Sequence, residues 1–177
     1  MDEFEAAAMP HMNDIYRTAM RLLGAATGAD DVVQDVYLQA WKSFSQFEKG
    51  TNCRAWLFKI LFHTLFHYRR KWLNVRMIQG PDDVIDQTAS PEPALSEHIT
   101  DEEILAALDE IPHDFRAVAL LVDVEEFSYK EAATILNVPI GTVMSRLSRS
   151  RKLLRERLAG MAQSYGIGRA KQEGKSA

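Results

Sequence analysis

Residues 127–158 read FSYKEAATILNVPIGTVMSRLSRSRKLLRERL. Ser128-Tyr129-Lys130-Glu131 has the S-x-x-E spacing of a capping box: the serine caps the N3 amide and the glutamate reaches back. A short helix then runs through Ala132, Ala133, Ile135 and Leu136 to Asn137, a residue type that tolerates the left-handed conformation ending helices. Val138-Pro139-Ile140-Gly141 forms a tight turn, and Thr142 starts a longer basic helix. Short helix, brief turn and second helix is the helix-turn-helix arrangement. Small Ala132 and Ala133 let the two helices approach. Val143, Leu147, Leu154 and Leu158 make an inward stripe, which leaves Met144, Ser145, Ser148, Arg149 and Lys152 facing outward. Serines and arginines on that half suit a DNA major groove, with Arg149 either on a guanine edge or on a phosphate.

That basic helix belongs to a chain of formal net charge −4. Charge is segregated along it. From Arg54 to Arg76 there are bases and no acid; from Asp82 to Glu110 there are acids and no base; from Arg146 to Arg157 bases return, opposed only by Glu156. A polyanion senses charge within a Debye length, roughly 8 Å at physiological salt, so the local patches matter and the total does not. The basic, acidic, basic order points to two nucleic-acid faces separated by a solvated spacer.

The rest of the chain predicts an all-α protein of two small helical domains. In 11–76, Ile15, Ala19, Leu22 and Leu23 form one stripe. Gly24 and Gly28 then break the chain, and Asp30 and Asp31 open the next helix, where acids suit the N-terminal dipole. There Val32, Val33, Val36, Tyr37, Ala40, Trp41 and Phe44 keep the helical period. A third helix spans 55–72, with Trp56, Leu57, Ile60, Leu61, Leu65 and Tyr68 as its apolar positions. It also carries exposed-looking aromatics (Trp56, Phe58, Phe62, Phe66, Tyr68 and Trp72) among bases, a pairing that suits unpaired nucleotides; for Trp56 and Phe62 core packing is the better reading. Residues 77–100, with Pro81, Pro91 and Pro93, read as a flexible linker. Helices are expected at about 101–110, 112–123, 129–136 and 141–159. The tail 160–177 has a disordered composition.

Some chemistry is disfavoured. The single cysteine, Cys53, allows no internal disulfide and no cysteine-cluster zinc site. His63 and His67 have i,i+4 spacing but no carboxylate pair beside them, so neither metal nor cofactor is expected. There is no nucleophile–base signature or phosphate loop, which speaks against an enzyme and against a small-molecule substrate. No apolar run approaches the ~20 residues of a membrane span. The start, MDEFEAAAMP, has no signal core. A soluble cytoplasmic protein without membrane insertion is expected.

Two further stretches carry a resemblance. ADDVVQDVYLQAWKSFSQF and GTNCRAWLFKILFHTLFHYRRKW resemble region 2 of bacterial RNA polymerase sigma factors of the extracytoplasmic-function (ECF) subfamily. IPHDFRAVALLVDVEEFSYKEAATILNVPIGTVMSRLSRSRKLLRERL resembles their region 4. The resemblance implies a region 2 over 9–76 that binds core polymerase and reads and melts the −10 element, and a region 4 over 101–159 that reads −35. The implied partners are core RNA polymerase (β′ clamp helices and β flap), promoter DNA and an anti-sigma factor. Asp31, Gln34, Asp35, Leu38 and Trp41 match positions facing the clamp helices. Residues 47–53, with Phe47, Gly50 and Asn52, match the loop that captures an extruded base. Arg54, Lys59, Arg69 and Arg70 are the implied phosphate contacts, and His63 and His67 sit on the reading helix. His63 stands where Asn is often found. Thr142, Ser145, Arg146, Ser148, Arg149 and Lys152 are the implied −35 contacts, and Met144 stands where a base is common. The alternatives weighed are a sigma-like decoy that sequesters an anti-sigma factor and a one-component DNA-binding regulator. The decoy usually carries a receiver domain, for which this length leaves no room; the regulator would need a ligand or dimerisation domain, which 9–76 does not suit.

Overall fold

The computed structural model describes residues 3–23, 28–75 and 101–164, with the side chains of 69–75, 101–102 and 161–164 excepted. The linker expected at 77–100, most of the tail and the side chains of Arg69 and Arg70 lie outside the described residues. The described residues form eight α-helices: α1 (Glu3–Ala8), α2 (Met12–Leu23), α3 (Ala29–Ser43), α4 (Cys53–Val75), α5 (Asp101–Asp109), α6 (His113–Ala119), α7 (Tyr129–Leu136) and α8 (Ile140–Ser164). Single 3-10 turns at Met9–His11 and Phe44–Gln46 and a wider π turn at Leu120–Val124 link some of them.

The first four helices pack as the apolar periodicity predicts. Ile15 and Ala19 of α2, Val32, Val36 and Ala40 of α3, and Leu57, Leu61 and Leu65 of α4 are buried together. Gly28 makes the α2–α3 break at φ 131°, a region a side chain rarely adopts, and a Cβ there would lie 2.8 Å from the Tyr68 hydroxyl. Helix α1 extends the expected start of this half. Phe4 is buried edge-on against Tyr37, Trp41 and Phe44, and the Tyr37 hydroxyl donates to the Ala8 carbonyl at 3.0 Å. The sequence signal there is weak because six residues are too short to show a period.

In the second half the capping box forms in full. Glu131 N–H donates to Ser128 Oγ at 3.2 Å, and Ser128 N–H donates to the Glu131 carboxylate at 3.0 Å. Asn137 adopts φ 53°, ψ 47° and ends α7. Val143, Leu147 and Leu158 are buried and Leu154 partly so, as the stripe requires.

The two halves share one core. Helix α7 packs on α4, and α6 on α2. Phe58, read from the sequence among the exposed-looking aromatics, is fully buried and meets Phe127 edge-on at 4.9 Å. Burying such a ring stabilises by about 1.5–3 kcal/mol. Arg116 of α6 donates to the Arg21 carbonyl at 3.1 Å, satisfying a carbonyl at the end of α2.

Candidate nucleic-acid and polymerase interfaces

Three exposed faces carry most of the sequence-derived candidates. On α3, Asp31, Gln34, Asp35, Leu38 and Trp41 are all exposed. Their i, i+3, i+4, i+7, i+10 spacing puts them on one side of the helix. Leu38 and Trp41, at 50% and 51% exposure, are large apolar groups displayed among carboxylates. Trp41 rests one edge on Phe4, 5.2 Å between centroids, so it is held in place by α1 and still presents a surface. An acidic rim around an exposed indole suits a basic protein partner.

On α4, Lys59, His63 and His67 share an exposed stripe with Phe66. The Nε2 atoms of His63 and His67 lie 3.1 Å apart, with one ring donating to the other. Phe66 is 65% exposed and sits edge-on to His67, with 6.1 Å between centroids. It was one aromatic among six in the sequence; its exposure distinguishes it from Phe58 and Phe62, which are buried. The stripe offers cationic, hydrogen-bonding and stacking groups, a set suited to single-stranded nucleic acid.

The loop before α4 is built to hold its shape. Phe47 stacks on Phe44 at 5.8 Å and leans on Trp56 at 4.9 Å. Gly50 is exposed at φ 91°. Asn52 caps α4, its Oδ1 accepting from Ala55 N–H at 3.1 Å.

Arg54 does not join the α4 stripe. Five residues before Lys59, it points roughly 140° away around the helix, since each residue advances about 100°. Its guanidinium pairs with Asp14 at 3.1 Å, donates to the Glu125 carbonyl at 2.8 Å and pairs with the Glu125 carboxylate. It also lies 5.0 Å from the Phe58 ring centroid and 4.6 Å from that of Phe127. The expected phosphate contact is therefore occupied within the protein. Glu125, Asp14 and Thr18, which complete this cluster, were not singled out by sequence, because no local pattern links positions so far apart.

On α8, Met144, Ser145, Ser148, Arg149 and Lys152 are exposed, and Thr142 is half-buried beside them. Ser145 Oγ donates back to the Thr142 carbonyl at 3.1 Å. Arg146 turns off this face and pairs with Asp114 of α6 at 3.0 Å. The helix-turn-helix thus presents an outward face bearing Arg149, while Arg146 ties the helix to its neighbour.

The family model of Sigma-70 region 2 matches residues 8–73, and that of Sigma-70, region 4 matches residues 101–154. The ECF RNA polymerase sigma factor EcfG of Rhodopseudomonas palustris is 37% identical over 84% of this chain and 79% of its own length. This chain belongs to the ECF sigma factors. The ECF RNA polymerase sigma factor SigE of Mycolicibacterium smegmatis is 32% identical over 90% of this chain and 63% of its own length. A solved structure of the sigma factor RpoE in complex with the anti-sigma factor NepR, from Bartonella quintana, superposes with a TM-score of 0.71 at 32% identity, covering 89% of this chain and 98% of that one. An ECF sigma factor is a transcription initiation factor: it binds core RNA polymerase and promoter DNA and so gives the enzyme its promoter choice. The all-α architecture with a region 2 and a region 4 is the one the sequence predicts.

Proposed function

We propose that this ECF sigma factor docks on the β′ clamp helices through the α3 face, reads −35 with α8, and opens −10 with α4 and the loop before it. The carrying observation is that three separate faces are exposed on one helical body: acidic and apolar on α3, basic and aromatic on α4, basic and polar on α8. In this reading Asp31, Gln34, Asp35, Leu38 and Trp41 meet the polymerase. Lys59, His63, Phe66 and His67 hold the separated strand, and Phe47, Gly50 and Asn52 frame the pocket for one flipped base. Unstacking that base costs a few kcal/mol, which the pocket and the phosphate contacts offset. Arg69 and Arg70 belong to the same set by sequence. Thr142, Ser145, Ser148, Arg149 and Lys152 meet the −35 duplex. Region 2 is taken over 9–76 and region 4 over 101–159.

The protein changes no covalent bond in this scheme, so it acts as a specificity subunit and not as an enzyme, and with core polymerase and promoter DNA as its partners it works in the cytoplasm. An anti-sigma factor controls it, as in the RpoE–NepR complex that its fold matches. The decoy and one-component readings are not favoured: the exposed Arg149 face of α8 and the exposed α3 face are the surfaces an active initiation factor needs. Run-off transcription with purified core enzyme tests this. Addition of the protein should yield transcripts from discrete promoters, and co-purification from native cells should bring down a small inhibitory protein. Core enzyme that initiates no differently with the protein present would overturn the reading.

A further inference from the structure

His63 and His67 lie one turn apart on the exposed side of α4, and their side chains converge. The Nε2 atoms are 3.1 Å apart and the ring centroids 4.5 Å, with the ring planes crossed at 70°. Spacing alone gave no reason to expect an ion there; the side-chain positions supply one. Zinc sits about 2.0–2.1 Å from an imidazole nitrogen. Two nitrogens 3.1 Å apart therefore subtend an angle of roughly 98° at one shared ion, between the square-planar and tetrahedral angles.

The pair is also preorganised. The opposite face of α4 is anchored in the core by Leu57, Phe58, Leu61, Phe62 and Leu65, so the backbone that carries both rings is held. Phe66 stands edge-on beside His67, with 6.1 Å between centroids. A hydrogen bond between two exposed rings contributes little in water, since each nitrogen can bond solvent instead. An ion engages both rings, and its second bond is intramolecular.

The donor set selects the ion. Imidazole nitrogen suits zinc, copper and nickel, whereas magnesium and calcium take oxygen. Helix α4 carries no acid from Cys53 to Val75, and among the described residues no third His, Cys, Asp or Glu completes the set. The protein supplies two ligands and leaves the remaining positions to water, or to an anion drawn by Lys59 one turn before His63. Both rings must offer the Nε2 lone pair. The proton between the two Nε2 atoms therefore moves, through solvent, to Nδ1 of the ring that donated it.

We propose that His63 and His67 form a two-histidine chelate for a divalent transition ion of the zinc class. An ion held there occupies both Nε2 atoms, so neither ring can bond a base edge through them. This consequence, unlike the site, rests on the reading of α4 as the −10 helix: zinc then lowers promoter opening by taking the reading groups.

Calorimetric titration of the free full chain with zinc chloride tests the site without DNA. The parent should show saturable binding. His63→Ala and His67→Ala should each weaken it roughly tenfold or more, because one imidazole is left to bind alone. Both side chains are exposed, so circular dichroism should be unchanged. His113→Ala, on α6, removes a histidine outside the pair and should leave the affinity as it is. Paramagnetic resonance of bound copper(II) reads the ligands directly, with one imidazole fewer in each variant of the pair than in the parent. No saturable zinc binding by the parent, or variants of the pair that bind as the parent does, would overturn the proposal. So would an equal loss in His113→Ala.

Permanganate reactivity in the holoenzyme separates the site from its consequence. Zinc should reduce the reactivity of −10 thymines several-fold with the parent chain. With His63→Ala or His67→Ala, whatever their own levels, zinc should change it little. An equal fall with those variants would place the effect of zinc elsewhere and overturn the link. Zinc bound at the pair with the parent's reactivity unchanged would leave the site standing and remove both histidines from −10 reading.

Discussion

The guanidinium of Arg54, in the first turn of α4, and the carboxylate of Glu125, at the end of the π turn, form a pair that joins the two halves of the chain, with side-chain exposures of 23% and 7%. Burial pushes the Glu125 carboxyl up, against the opposing pull of Thr18 and Arg54. At Asp14 burial also pushes upward, but hydrogen bonds from Arg54 and Arg17 outweigh it and hold that carboxyl below its ordinary value. Arg54 therefore serves two acids in different surroundings.

Removing one partner of a buried pair leaves a charge without compensation, at a cost of ~3–5 kcal/mol when burial is complete. With Arg54 partly exposed, Arg54→Met should cost about 1–3 kcal/mol. Glu125→Gln should cost less, because an amide still accepts from Thr18. The double variant should fall short of the sum by ~1 kcal/mol or more, the mark of direct coupling. Thermal unfolding of the four proteins measures it, and additive losses would mean that the pair contributes nothing jointly.

The capping box gives a second stability prediction. Ser128→Ala should destabilise the chain, whose two halves share one core, by about 1 kcal/mol, a fall of roughly 2–4 °C in its melting temperature. Hydrogen bonds from the Ser128 hydroxyl and amide hold the Glu131 carboxyl below its ordinary value. Its folded value lies below its unfolded one, so its contribution is complete above the unfolded value, about 4.3, and is lost as pH falls through the lowered folded value. Glu131→Gln keeps an acceptor but no charge. Its melting temperature should therefore fall less steeply between pH 5 and 3 than that of the parent; identical slopes would exclude the carboxylate as the cause.

The two arginines of α8 should behave differently. Arg149 is exposed on the outward face, and Arg149→Ala should cost ~1–3 kcal/mol of −35 binding if it reads a base edge. A phosphate role would instead weaken all sequences alike and reduce the salt slope by about one. Arg146 is engaged by Asp114, so Arg146→Ala should affect DNA less and helix packing more. Titration of duplexes bearing the native and scrambled −35 element separates these outcomes; an Arg146 effect larger than that of Arg149 would contradict the assignment.

Core association should depend on α3. Asp35→Arg places the wrong sign beside Leu38 and Trp41 and should weaken binding to purified core at low salt, with helicity unchanged. Normal affinity would remove this face from the polymerase interface.

Local chemistry made much of this legible in the sequence. The S-x-x-E spacing of Ser128 and Glu131 and the left-handed Asn137 are decided within a few residues, and both appear as expected. The outward set on α8, Met144, Ser145, Ser148, Arg149 and Lys152, follows from its period; Arg146, which the resemblance alone added to the −35 contacts, is engaged by an acid on another helix. Long-range partners were not legible. Phe58 looked like a displayed aromatic until Phe127 covered it. Arg54 looked like a phosphate contact until Asp14 and Glu125 engaged it. Helix α1 was missed because Phe4 finds its place only among Tyr37, Trp41 and Phe44.

Permanganate reactivity of thymines at −10 tests the central claim most directly, since it reports strand separation itself. Holoenzyme with the parent chain should make the non-template −10 thymines reactive on duplex promoters. Replacing the loop at 47–52 by a Gly/Ser segment should abolish that reactivity while core association and −35 binding persist. A premelted bubble should restore part of the transcription, because the unstacking cost is already met. Full reactivity on duplex DNA with the replaced loop would show that it is only a connector between α3 and α4, and would contradict the account.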